Sequence, residues 1–363
     1  MESAAEPVQD RTFPCSSCGA ELHFQPGSTS MECPYCGVVV AIEASSESIE
    51  ELDFHTALER ARSEASTEEH LTVDCPSCQA RTSFDPNVTV DECAFCGVQV
   101  SVQAKSTKAI KPGSILPFHF GQSQAAEAFK KWLRGLWFAP SALKKYALLG
   151  GLQGIYCPYW TYDCRTISRY SGQRGEHYYV TRSYTTKDSS GNTVRRTRRE
   201  RRTRWYPASG KVRNTFDDVL VVASRALPPA NVQALEPWDL EQLVPFDEKW
   251  LSGFRVQSYQ VDLEEGFGEA QHRMEPEIRK TVRSDIGGDE QRITSLDVRY
   301  FEITFKHILL PMWISAYRYR NKVYHFLVNA RTGEVKGQRP WSWFKILMTL
   351  FFLAMVVITL TRL

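Results

Sequence analysis

Residues 15–36 read CSSCGAELHFQPGSTSMECPYC, and residues 75–96 read CPSCQARTSFDPNVTVDECAFC. Cys15, Cys18, Cys33 and Cys36 are spaced C-x2-C-x14-C-x2-C, and Cys75, Cys78, Cys93 and Cys96 repeat that spacing sixty residues later. The copies align without a gap: Phe24 on Phe84, Pro26 on Pro86, Thr29 on Thr89, Glu32 on Glu92, Gly37 on Gly97, Val38 on Val98. This is an internal repeat. Two thiolates on a tight CxxC knuckle supply half of a tetrahedron, and a second knuckle returned by a β-hairpin supplies the rest. A module of some thirty residues cannot build an adequate core alone. Structural zinc contributes ~10–16 kcal/mol of apparent binding energy, which here is folding energy. The expectation is two structural Zn2+ ions. Four thiolates leave no open position for water or substrate, which argues against a catalytic metal. Gly19, Gly37 and Gly97 follow ligand cysteines, where a positive φ is useful. Gln79 breaks that pattern.

A second decisive stretch closes the chain. Ile346 to Thr361 (ILMTLFFLAMVVITLT) carries no charge, and Lys345 and Arg362 flank it. Sixteen residues span roughly 24 Å as a helix, a little under the ~30 Å hydrocarbon core. Ten are Leu, Ile, Phe or Val, worth roughly −3 to −6 kcal/mol on the insertion scale. Trp341, Trp343 and Phe344 form an aromatic shoulder, and Lys345 and Arg362 can snorkel from the ends. The expected membrane-interface residues are Trp341, Trp343, Lys345 and Arg362. The competing reading, a buried core helix, normally shows a polar face, and this segment has only three threonines.

The chain has 363 residues, 42% hydrophobic, with a net charge of +2, which allows two or three domains. The N-terminus lacks an apolar segment, so no signal peptide is expected. Lys336, Arg339 and Lys345 precede the anchor. The positive-inside rule then leaves the bulk of the protein in the cytosol, on a single-pass anchor. In that reducing compartment the ten cysteines read as metal ligands or free thiols.

The expected organisation is multi-domain. A disordered N-terminus (1–10) precedes zinc ribbon 1 (11–44), an acidic linker with a short helix (45–71) and zinc ribbon 2 (72–104). An α+β domain with an antiparallel sheet and a basic hairpin (105–340) and a transmembrane tail (341–363) follow. In the linker, Ile49, Leu52, Leu58 and Ala61 recur at roughly helical spacing. Both ribbons and the linker are acidic, which favours docking of protein over nucleic acid, whose affinity comes largely from Lys and Arg. In the α+β domain, Gln122–Trp137 reads as an amphipathic helix ended by Pro140, with Ser141 capping a second helix through Leu149. Gly154–Ser224 is β-rich, with a hairpin of Tyr178–Lys187 and Thr193–Trp205 about a turn at 188–192. Val261–Ile286 reads as a helix broken at Pro276 and stopped by Gly287 and Gly288. Arg292–Val335 reads as three or four strands.

That hairpin is the basic part of the molecule. Arg195, Arg196, Arg198, Arg199, Arg201, Arg202 and Arg204 share one strand. Three readings stay open: a solvated, charge-protected edge, a surface for lipid head groups or an acidic partner, and nucleic acid. Of the anionic surfaces, lipid is the nearer if the anchor holds this domain at the bilayer, where each basic residue is worth about 1 kcal/mol. There is no Walker loop, no GxSxG and no HExxH. His307 and His325 fall on expected strands as ordinary structural histidines. Asp285, Asp289 and Glu290 could hold a cation, but a glycine-ended helix explains them equally well. Cys157 and Cys164 read as packed thiols.

The blocks LPFHF (116–120), WLRGLWFAPSALK (132–144), GIYCPYWTYD (154–163), FDDVLVVAS (216–224), PWDL (237–240), DIGGDEQR (285–292), ITFKHILLPMWISAYRY (303–319) and NARTGEVKGQRPWSW (329–343) follow the two ribbons. Together they resemble bacterial membrane-anchored double zinc-ribbon proteins often labelled primosomal protein N′ or a helicase. The resemblance covers nearly the whole chain from Phe13. The helicase label has no support in the residues, since the Walker lysine and the motor domains are missing. Cys157 departs from that family's usual apolar residue. What the resemblance implies is a bacterial protein with two zinc ribbons and one span, acting as an adaptor for flotillin-like or phage-shock-type membrane scaffolds. The expected function is therefore a non-enzymatic, membrane-anchored adaptor. The rivals are a membrane-tethered nucleic-acid-binding protein and an enzyme with a site scattered over the α+β domain.

Overall fold

The computed structural model describes residues 13–43, 45, 48–62, 68–77, 80–83, 90–93, 95, 98–101, 105–138, 151–187, 191–227, 229–319, 322–338 and 342–361. The first cysteine repeat, labelled ribbon 1 for its position, is a three-stranded sheet of β1 (His23–Phe24), β2 (Ser30–Glu32) and β3 (Val39–Ala41). β4 (Leu52–Asp53) and α1 (Phe54–Arg62) follow. The second repeat contributes β5 (Glu68–Asp74), β6 (Arg81–Ser83), β7 (Val90–Glu92), β8 (Gln99–Ser101) and β9 (Lys105–Ala109). β10 (Ser114–Ile115) and α2 (Gln122–Gly135) lead into two very long strands, β11 (Gln153–Lys187) and β12 (Thr193–Val222). Then come α3 (Pro229–Gln233), β13 (Val244–Pro245), β14 (Arg255–Val256) and α4 (Leu263–Ile286). β15 (Glu290–Tyr319), β16 (Lys322–Asn329), β17 (Val335–Gly337) and α5 (Trp343–Thr361) complete the chain.

The body is one nine-stranded sheet with the path β12-β11-β15-β10-β13, to which β14, β16, β17 and β4 add. It is antiparallel except where β10 meets β15 and β14 meets β11. Side chains alternate across β11. Tyr156, Trp160 and Tyr162 point to one face, where ribbon 1, α2 and α4 pack. Ile155, Cys157 and Tyr159 point to the other, where the second repeat and the Leu227–Trp238 segment pack. α4 buries Leu263, Phe267, Ala270, Met274, Ile278, Val282 and Ile286 at helical spacing. Asp262 caps its start by accepting from the Glu265 N–H at 2.8 Å, and Gly287 ends it at φ +65°.

The sequence reading needs four adjustments. The hairpin is not confined to 178–205: β11 and β12 pair from Tyr159↔Val222 to Lys187↔Thr193. Gly172, Gly175, Pro207 and Gly210 look like breaks in sequence, yet Pro207 sits on an edge strand, which tolerates its missing N–H. Pro276 does not break α4; it is exposed, so the missing hydrogen bond falls on the solvent face. Leu52 belongs to a strand paired with Phe305 of β15, so part of the acidic linker is sheet. The segment after Arg292 is three strands, the first of them 30 residues long. The helix expected over 141–149 lies outside the described residues.

Candidate metal centre and arginine arm

In ribbon 1 the hairpin β1–β2 brings the two knuckles together. The ligand atoms of Cys15, Cys18, Cys33 and Cys36 all lie within 4.8 Å of one another. Cys15 Sγ is 3.5 Å from Cys36 Sγ, and Cys18 Sγ is 3.5 Å from Cys33 Sγ. A tetrahedron with metal–sulfur bonds of about 2.3 Å needs sulfur–sulfur edges of about 3.8 Å, so the cluster is close to the required size. The knuckles are fixed by backbone geometry. Cys15 N–H donates to the Ala20 carbonyl at 2.6 Å and Cys33 N–H to Val38 at 2.9 Å. Gly19 and Gly37 take φ of +76° and +73°, the left-handed conformation expected there. Backbone N–H groups of Cys36 and Tyr35 aim at Cys33 and hold its thiol down at about 6, despite burial. The Ser17 and Cys18 amides lower Cys15 likewise. The Ala20 amide also favours the Cys18 thiolate, but the neighbouring Cys33 and Cys36 sulfurs outweigh it and push Cys18 up to about 12. Four crowded thiols of this kind, with Cys15 and Cys33 acidified by backbone amides, form a group that can hold a metal ion.

The second repeat has the same skeleton where it is described. Cys75 N–H donates to Ala80 and Cys93 N–H to Val98, both at 2.9 Å, matching the first copy bond for bond. Cys75 and Cys93 are buried. Cys78 and Cys96, with Gln79 and Gly97, lie outside the described residues, so one complete four-thiol cluster is seen.

Neither repeat is a free bead. In ribbon 1, Leu22, Phe24, Met31 and Ile42 share a core with Phe118, Trp250, Leu251 and Trp313. Phe24 stacks edge-on against Trp250 with centroids 5.0 Å apart. Phe24 N–H donates to Ser252 O at 3.1 Å, Gly27 N–H donates to Phe118 O at 2.9 Å, and the Ser252 hydroxyl donates to Leu22 O. In the second repeat, Phe95 joins the core of Leu310 and Leu327, and its carbonyl lies 2.6 Å from His325 Nε2. Burial lowers the His325 pKa. His307 Nδ1 lies 2.8 Å from the Ile110 carbonyl. Both histidines are structural, as expected.

The arginines sit on an arm. β15 stops accompanying β11 at Gly175↔Glu290, whereas the β11–β12 pairing runs on to Lys187↔Thr193. The last twelve pairs, Glu176↔Arg204 to Lys187↔Thr193, make a two-stranded ribbon roughly 40 Å long. Arg196, Arg198, Arg202 and Arg204 fall on one face with Arg182; Arg195, Arg199 and Arg201 fall on the other with Lys187. Glu200 pairs with Arg182 at 3.3 Å and with Arg202 at 3.7 Å. Among the described residues, Arg195, Arg196, Arg198, Arg199 and Arg201 have no carboxylate within ion-pair distance. Arg199 stacks over Tyr179 at 4.9 Å and Arg204 over Tyr178 at 5.1 Å.

Sequence reading missed a polar knot at the middle of the sheet. Both strands flanking β11 carry an extra residue here: Asp217–Asp218 of β12 opposite Asp163, and Glu302–Ile303 of β15 opposite Cys164. Asp218 and Glu302 each take φ of +50°, as such bulges require. Lys306 Nζ lies 2.8 Å from Asp218, 3.2 Å from Glu51 and 3.8 Å from Asp163. Thr304 donates to Glu51 at 3.0 Å. Burial pushes Asp163 up to about 6, against the Asp218 amide and Lys306. Glu51, Asp163 and Asp217 also bring carboxylate oxygens within 4.8 Å of one another. Lys306 already supplies the cation, so the group works as a clamp from linker to sheet. Its members come from four distant points of the chain, and only strand register unites them.

Asp285, Asp289 and Glu290 do not converge. Tyr170 donates to Asp285 at 2.6 Å, the His177 N–H donates to Asp289 at 2.7 Å, and Thr203 donates to Glu290 at 3.0 Å. Cys157 and Cys164 are buried free thiols, and burial raises both. α5 is one helix long and apolar enough to cross a membrane: Trp343–Leu360 has a mean hydropathy of 2.2 and none of it is buried. Trp343 is 73% exposed and Lys345 lies in the first turn; Trp341 and Arg362 lie outside the described residues.

The chain is similar to "Uncharacterized protein YdjG" of Bacillus subtilis (strain 168), with 24% identity over 361 residues, covering 96% of this chain and 97% of that protein. It matches no protein-family profile and no solved structure. The similarity runs along nearly the full length of both chains.

Proposed function

We propose that this chain is a non-enzymatic adaptor held at the bacterial cytoplasmic membrane by α5, with its body in the cytosol and two structural zinc ions in its ribbons. On this reading it belongs with the membrane-anchored double zinc-ribbon proteins it resembles. The observation that carries the proposal is the Cys15–Cys18–Cys33–Cys36 cluster, locked into the sheet core on one side. On its other side Tyr35 is 84% and Val39 58% exposed. A metal so placed shapes a rigid outer surface rather than a reaction centre, because four thiolates close its coordination. Exposed aromatic and apolar groups on a fixed knuckle suit a protein partner, and the membrane scaffolds of the flotillin-like or phage-shock class are the partners to test.

Zinc content of the purified full chain should be two ions, falling to one in Cys33→Ser. Affinity capture from solubilised membranes should retain a discrete protein partner through nuclease treatment and lose it in Tyr35→Ala/Val39→Ser. Fewer than two zinc ions in the unaltered chain would remove the metal assignment. Partner retention by the Tyr35/Val39 variant would remove the docking face.

A further inference from the structure

The arginine arm and the membrane anchor lie at opposite ends of the sheet. Gln153, Ile314, Leu327 and Lys336 are side by side across β11, β15, β16 and β17. Five residues separate Gly337 from Trp343, so the root of α5 lies within ~20 Å of that line. Along β11, Glu176, the partner of Arg204, is twenty-three residues away and Thr185, the partner of Arg195, is thirty-two. At ~3.3 Å per residue these are roughly 75 and 105 Å. The anchor therefore does not by itself bring the arginines to the bilayer, and nearness to α5 no longer favours a head-group surface.

The charge layout separates the remaining partners. A bilayer is flat and meets one face of a ribbon. Here both faces are cationic: Arg182, Arg196, Arg198, Arg202 and Arg204 on one, Lys187, Arg195, Arg199 and Arg201 on the other. Arg182 and Arg198 stand directly opposite each other across the two strands, and Glu200 pairs with Arg182 but not with Arg198, so like charges face each other at a cost in stability. Protecting an edge needs a charge or two, not seven arginines in ten residues. Hydroxyls of Thr181, Ser183, Thr185, Thr193 and Thr197 share the face that carries no carboxylate, and Arg, Thr and Tyr are the side chains that grip phosphate oxygens. A partner with anionic walls on both sides of a two-stranded ribbon is a duplex groove. The B-form major groove, ~12 Å wide, admits such a ribbon, whereas the deep, narrow major groove of A-form RNA does not.

We propose that residues 176–187 and 193–204 form a DNA-binding arm that enters the major groove of a B-form duplex and holds it by phosphate contacts, at the end of the sheet remote from α5. In the cell this rests on the cytosolic orientation proposed above; binding by purified protein does not. The test uses the full chain in non-ionic detergent and labelled duplexes of ~20 bp, about two turns. Fluorescence anisotropy is read between ~50 and ~200 mM salt. The unaltered chain should bind duplex DNA and lose about 10²- to 10³-fold in affinity over that range, the slope for four to six phosphates. R196Q/R198Q/R199Q/R201Q should bind at least tenfold more weakly with a shallower slope. The matching four-lysine variant, which separates charge from folding, should retain most of the affinity. No binding at low salt, equal binding by the glutamine variant, or equal affinity for duplex RNA would each overturn the proposal. So would an arm that anionic vesicles, but not DNA, protect from trypsin. Protease accessibility in intact cells reads the orientation separately, so failure of one assignment is not mistaken for failure of the other.

Discussion

Lys306 shows how one residue can hold a module in place. Its ammonium bridges Glu51 of the linker to Asp163 and Asp218 of the sheet, with its side chain 11% exposed. Lys306→Met would leave three neighbouring carboxylates without a cation. Part of that group reaches water, so the expected cost is ~2 kcal/mol rather than the ~3–5 of a fully buried pair, read by urea unfolding. Asp163 acts in the opposite sense. Folded, it keeps its proton to about pH 6; unfolded, it releases it near ~4. The folded chain then binds more protons between those values, so this residue makes stability fall as pH rises through ~4 to ~6. Asp163→Asn keeps an acceptor for the Asp218 amide and should flatten that dependence. It should gain up to ~2 kcal/mol on the unaltered chain between pH 5 and 7; a pH-independent difference would show that Asp163 titrates normally. None of this was legible in the sequence, because positions 51, 163, 218 and 306 share no spacing. The cysteine cluster was legible because a four-thiol site of metal-binding size draws its members from short intervals.

At the scale of elements, α4 and the long hairpin are the informative cases. Gly266 lies where α4 crosses the sheet, and a Cβ there would meet Trp160 Cδ1 at 2.9 Å as well as the Tyr162 hydroxyl. Gly266→Ala should cost ~1–3 kcal/mol by overpacking. Pro276→Ala, on the solvent side of the same helix, should gain up to ~1–2 kcal/mol, less than the ~3 of a buried interior proline. Paired thermal melts would read both, and equal effects would contradict the assigned faces. The start and end of α4 were readable from Asp262 and Gly287–Gly288, since caps are local. The true length of β11 and β12 was not. Gly172 and Gly175 resemble turn residues, yet they are strand positions crowded by the flanking strands, β15 at Gly172 and mainly β12 at Gly175. A Cβ on Gly172 would strike the Arg292 carbonyl, and one on Gly175 would lie 2.9 Å from Trp205.

For the whole molecule, removal of residues beyond 338 should yield a folded, water-soluble body. α5 contributes nothing to the buried core among the described residues. The truncated chain should sediment as a soluble species and melt within ~1 kcal/mol of the full chain in detergent. Aggregation of a body with intact zinc would show that α5 covers an apolar face instead. The candidate membrane helix was plain in the sequence as an uncharged apolar run. The embedding of both ribbons in the sheet core was not, because a module bounded by linkers reads as independent until its apolar face finds a partner.

That embedding also sets a timetable for biogenesis. The Ser252 hydroxyl meets the Leu22 carbonyl across 230 residues of chain. At ~5–20 residues per second, a ribosome needs roughly 10–45 s to make the surface on which ribbon 1 rests. During that interval Leu22, Phe24 and the four thiols of the nascent ribbon have no sheet to shelter them. Metal captured then would shape the knuckles before docking; in the finished fold Cys15 and Cys33 are buried and only Cys18 and Cys36 remain open to exchange. On the zinc assignment proposed above, the metal supply at the moment of translation, more than the supply afterwards, decides how much of this protein matures.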